Sequence, residues 1–131
     1  MFNAVLTDYY IFYIYYISLH SAPPSPSHDT VSAVPVGRRG VIRVSWTAPT
    51  VPCGELPITG YSIRYKVQNS NVFKYKNVTA NSVEAIITGL DLGTVYQIYV
   101  AGVNAIGTGL YCCGRITVTV KTYNGKFHSE Q

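Results

Sequence analysis

From residue 41 onward the chain is built of short stretches in which apolar and polar side chains alternate one by one. In 41–46, Ile42, Val44 and Trp46 fall on one side, with Arg43 and Ser45 on the other. A period of two is what a strand with one buried face requires, because successive side chains point to opposite faces of a sheet. The alternation returns in 58–67, with Tyr61, Ile63 and Tyr65 inward and Ser62, Arg64 and Lys66 outward. It returns again in 83–88 (Ala85, Ile87), 94–104 (Tyr96, Ile98, Val100) and 116–120 (Ile116, Val118, Val120). Two further segments, 30–36 and the more polar 72–78, bring the predicted strands to seven. The lysines of 72–78 suit an edge strand, where charge discourages pairing with other chains. Gly37 and the run Pro49, Pro52, Gly54 and Pro57 punctuate the pattern, since proline cannot donate to a central ladder. No segment holds a helical period. The pattern predicts an all-β, seven-stranded antiparallel sandwich.

Composition agrees. The chain has 131 residues, 47% hydrophobic and 12% charged, which suits one domain with tails and excludes a disordered or coiled-coil chain. Twelve tyrosines stand against a single methionine, a bias toward pleated, half-buried surfaces. The net charge is +4. The ten basic residues are scattered, so no nucleic-acid partner is expected. Arg64, Lys66, Lys74 and Lys76 are candidates for one outward basic stripe, a weak glycan contact; edge protection and solubility account for the same residues.

The two ends differ from the middle. Residues 1–21 form an apolar, tyrosine-rich leader, too short for a spanning helix. It has three readings: an atypical signal sequence, which lacks a basic start and carries Asp8; a non-native leader from a wrongly assigned gene start; or an extra element of the fold. Residues 22–28 read as a stiff Pro/Ser linker between modules, and 123–131 as a polar tail.

Candidate chemistry is sparse. His20, His28 and His128 all fall in the tails, and the six carboxylates are dispersed. Nothing holds a nucleophile, a base and an orienting group together, and no metal spacing or phosphate loop occurs. No catalytic, cofactor or metal site is expected. Asn77-Val78-Thr79 is an N-glycosylation acceptor pattern. Three cysteines, Cys53, Cys112 and Cys113, leave room for one bridge and a spare thiol, or for none.

Four segments are more specific than the alternation: VSWTAP (44–49), PITGYSIRY (57–65), ITGLDLGTVYQIYV (87–100) and NAIGTG (104–109). In this order and spacing they resemble the fibronectin type III family over about 24–122, which implies that the sandwich is immunoglobulin-like. The resemblance implies that Trp46 is the core tryptophan. It makes Tyr96 the corner tyrosine whose hydroxyl bonds back to nearby backbone, and Leu90 the core leucine before that corner. Asn104, Gly107 and Gly109 would shape the loop between the last two strands. Tyr61 and Tyr65 join the structural core. Leu92 and Gly102 depart from the family's usual proline and alanine. The family fold also places the Cys53 loop and the loop before Cys112 at one end, where only one of Cys112 and Cys113 can face Cys53. No Arg-Gly-Asp tripeptide stands in the 105–110 loop, so integrin binding by that route is unsupported.

The resulting expectation is a non-catalytic binding and spacer module of a cell-surface receptor, adhesion or matrix protein. Its partners would be a protein ligand or neighbouring modules, and it would meet a membrane only through a parent protein. The alternatives are an intracellular module of a giant muscle-type or cytoskeletal protein, and an accessory domain of a larger enzyme.

Overall fold

The computed structural model describes residues 21–111 and 116–120. The leader before Ser21, Cys112, Cys113 and the tail 123–131 lie outside the described residues. Seven strands follow one another: β1 (Ser32–Pro35), β2 (Ile42–Ser45), β3 (Gly60–Val67), β4 (Lys74–Thr79), β5 (Glu84–Ile87), β6 (Val95–Val103) and β7 (Ile116–Thr119). They form a three-stranded sheet ordered β1-β2-β5 and a four-stranded sheet ordered β4-β3-β6-β7. Every pairing is antiparallel. This is the predicted sandwich, with strand ends trimmed by a residue or two. The first strand is trimmed most, because Thr30 closes a 3-10 turn (His28–Thr30). Its N–H and hydroxyl both donate to the Ser27 carbonyl.

The core forms where the two inner faces meet. Ile42, Val44, Ala85 and Ile87 come from one sheet; Tyr61, Ile63, Tyr96, Ile98, Val100 and Val118 come from the other. Trp46 lies just past β2, its backbone N–H donating to the Val83 carbonyl at 3.0 Å, and its ring meets Tyr61 of the opposite sheet with centroids 5.1 Å apart. Their apolar area removed from water is the main term holding the sheets together. The Trp46 Nε1 is buried without a hydrogen-bond acceptor. Burial pushes the Tyr61 phenol above the ordinary tyrosine value, with the adjacent Trp46 indole N–H acting the other way; geometrically the indole N–H does not complete a hydrogen bond.

The corner before β6 is closed by Tyr96, whose hydroxyl oxygen accepts the Asp91 backbone N–H at 3.0 Å. Leu90 is buried beside it. The Leu90 N–H donates to the Gly40 carbonyl. Gly40 has φ +73°, and a Cβ there would stand 2.2 Å from the Leu90 carbonyl oxygen, so only glycine fits this crossing of chains. Tyr65 is half-buried, its ring 6.5 Å from that of Tyr96.

One expectation fails here. Residues 22–28 do not form a free linker. Pro23 and Pro26 are buried, and the Ser25 hydroxyl donates to the Leu110 carbonyl while accepting the Gly102 N–H at 3.2 Å. The segment is a strap docked along the end of β6. The reason is steric: a Cβ on Gly102 or Gly109 would stand 2.4 or 2.3 Å from the Pro24 or Pro23 carbonyl oxygen respectively. Their missing side chains leave the strap its seat.

Candidate binding face

The outer face of the four-stranded sheet carries the most distinctive side chains. Register sets them in rows, since directly paired residues share a face. Tyr75, Arg64 and Tyr99 form one row across β4, β3 and β6, and Asn77, Ser62 and Ala101 form the next. The Arg64 guanidinium lies 4.3 Å from the Phe73 ring centroid, 4.3 Å from that of Tyr111 and 5.0 Å from that of Tyr99. Lys66 extends the series, 5.5 Å from Phe73, and donates to the Ser70 carbonyl at 2.8 Å. Phe73 and Tyr99 meet edge to face, as do Tyr75 and Tyr111. The Tyr111 and Ser62 hydroxyls are hydrogen-bonded, and this lid leaves Ser62 buried. Arg64 Nε is buried without an acceptor. That costs about 1–3 kcal/mol, and ring contacts of about 0.5–2 kcal/mol each offset it.

The same register divides the predicted basic stripe. Lys74 and Lys76 pair with Tyr65 and Ile63, so they project from the core side of the edge strand. Arg64 and Lys66 project from the other side. The four do not form one stripe, because the alternation in β4 is offset by one from that in β3. Asn77 and Thr79 are both exposed on β4. Cys53 stands exposed in the β2–β3 connection, while its possible partners lie outside the described residues.

Sequence reading missed Phe73, Tyr99 and Tyr111 as partners of Arg64; it placed Asn104 in the loop between the last two strands but missed its hold on Ser21. The buried Asn104 accepts the Ile106 and Gly107 N–H groups through Oδ1, and its Nδ2 donates to the Ser21 carbonyl. A cleft of about 130 Å³ beside Tyr65, Asp91 and Tyr96 is smaller than the roughly 300–1,000 Å³ of ordinary small-molecule sites. Among the described residues no His, Cys, Asp and Glu cluster of three or more is placed to hold a metal.

The model of the fibronectin type III domain matches residues 22–111. The chain belongs to the fibronectin type III family. A human relative, phosphatidylinositol phosphatase PTPRQ, is 31% identical over 94 residues, covering 70% of this chain and 4% of that protein. The chain thus spans only a small fraction of the relative's length. Among solved structures, a fibronectin type III domain of human contactin 1 has a TM-score of 0.67 at 24% identity, covering 82% of this chain and 87% of that one. The FN5 domain of Drosophila Lar has a TM-score of 0.60 at 27% identity, covering 77% and 99%. Fibronectin type III domains are generally non-catalytic modules, found in receptors, adhesion proteins and phosphatases. The matched range includes the proline strap, in agreement with its docked position.

Proposed function

We propose that this fibronectin type III domain is a non-catalytic, extracellular spacing and binding module of a receptor, adhesion or matrix protein. The observation that carries the spacing role is where the chain enters and leaves the sandwich. Ser21 is held by Asn104, just past the C-terminal end of β6. Val120 is bonded to Gly93 and Thr94, just before its N-terminal end. The nine residues of β6 separate these points by about 30 Å. A module whose chain enters at one end and leaves at the other sets its neighbours apart along one axis. The Asn77-Val78-Thr79 pattern, with Asn77 and Thr79 exposed, supports the extracellular assignment.

A thiol titration in denaturant, on material isolated from expressing tissue, tests the compartment. One reactive thiol of the three cysteines is expected, in keeping with a single bridge formed under oxidising conditions. Three reactive thiols would overturn the extracellular reading in favour of the intracellular structural one.

A further inference from the structure

The aromatic face and the acceptor asparagine lie side by side on one strand. In β4, Tyr75, Asn77 and Thr79 have the same parity and therefore point to the same face, with Lys76 and Val78 on the other. Tyr75 is 57% exposed. One edge of its surroundings is fixed by the Tyr111 ring, 6.3 Å away at 63°, and Tyr111 is itself held by Ser62. Asn77 sits opposite Ser62 in the register and is itself exposed.

We propose that Asn77 carries an N-linked glycan whose first N-acetylglucosamine packs on Tyr75, so that the sugar becomes a structural cover for this end of the aromatic face. The inference rests on the extracellular reading above. Residues two apart in a strand are about 7 Å apart, a separation that a sugar joined through the Asn77 side-chain amide spans by lying back along the strand. The pyranose presents an apolar face of C–H groups, and an aromatic ring presents a negative face to positive C–H edges. Individually this contact is weak. Tethering changes its population, because a ligand linked covalently beside its site acts at a high effective concentration. The neighbouring Tyr111 hydroxyl offers the sugar's acetamido group a hydrogen-bonding partner on the same face. The hydroxyl of Thr79, two residues beyond Asn77, completes the acceptor triplet read by the transferase.

The test uses the full chain secreted from mammalian cells behind a heterologous signal peptide, which separates this inference from the native compartment. Intact mass before and after enzymatic deglycosylation reports occupancy at Asn77, with Asn77→Gln as reference. The glycosylated protein is expected to melt roughly 4 °C above the Asn77→Gln form, the shift that about 1 kcal/mol gives a module of this size. That gain should vanish when Tyr75 is replaced by Thr, a substitution that preserves strand propensity. Ring-current-shifted sugar protons with nuclear Overhauser contacts to the Tyr75 ring are also expected. An unoccupied Asn77, a melting gain indifferent to Tyr75→Thr, or sugar protons at their free chemical shifts would each overturn the proposal. None of these results would alter the thiol count by which the compartment is judged.

Discussion

Tyr61 takes an ionisable hydroxyl into the interior with only 2% of its surface exposed, and burial raises its pKa above the ordinary value. Ionisation is thus harder in the folded chain than in the unfolded one, whose phenols titrate near pH 10. The sign follows by linkage: Tyr61's contribution is complete below about pH 10 and is lost as pH climbs through the higher folded value. Tyr61→Phe should therefore flatten the alkaline loss of stability relative to the parent chain. Urea unfolding at a series of pH values from about 8 to 11 measures it. Two curves that fall in parallel would show that Tyr61 does not couple folding to pH. At this scale the sequence was informative where one side chain decides its own fate. Trp46 and Tyr96 are large aromatics on inward positions, and burial is their lowest-energy outcome. Arg64 was not legible in the same way. Alternation placed it on the outer face, but its three aromatic partners lie 9, 35 and 47 positions downstream, at Phe73, Tyr99 and Tyr111. The connection from β3 to β4, the register of β3 with β6, and the path of the chain after Gly109 bring them together.

The strap shows the same limit for whole segments. A run of prolines and serines has one composition whether it spans open solvent or lies in a groove. What distinguishes the two is the pair Gly102 and Gly109, which has no local signature of a binding seat. In strand β6 a glycine reads only as a weak strand former. Gly102 pairs with Tyr61 and so lies on the core-facing side, where the Pro24 carbonyl occupies the space a Cβ would need. Gly102→Ala should therefore lift the strap and destabilise the domain by about 1–3 kcal/mol, in the range of overpacking. Native-state hydrogen exchange locates the damage, because the amide of residue 102 is bonded to Ser25 Oγ. Its exchange should accelerate more than that of the central β3–β6 amides. Unchanged stability with unchanged protection at residue 102 would show that the strap does not depend on the glycine. The strands themselves were legible to within one or two residues, since each declares its buried face by period two. The facing of Lys74 and Lys76 was not, because the offset between β3 and β4 is set by the connection joining them.

At the scale of the molecule, stability and cooperativity come from closing one sheet on the other. Among the described residues Arg43 and Glu84 form an ion pair at 3.7 Å with side chains more than half exposed, a geometry that contributes about 0–1 kcal/mol. Within each sheet the pairings join strands far apart in sequence, β2 with β5 and β3 with β6, and between the sheets Trp46 touches Tyr61 across the interior. Neither sheet has a second face of comparable apolarity on which to survive alone, so loss of one exposes the core of the other. Unfolding should accordingly be a single all-or-none transition. Refolding should take milliseconds to seconds, the pace set when distant strands must meet before any contact is gained. The chain holds one tryptophan, and it sits at the meeting of the sheets, so indole fluorescence reports sheet closure while far-ultraviolet circular dichroism reports the strands. The two denaturation curves should coincide, and their midpoint should move little between low and high salt, because exposed ion pairs contribute so little. An indole that becomes solvated at a lower denaturant concentration than the strands unravel would mean that the sheets part before they melt, and that the interior around Trp46 and Tyr61 does not hold the domain together.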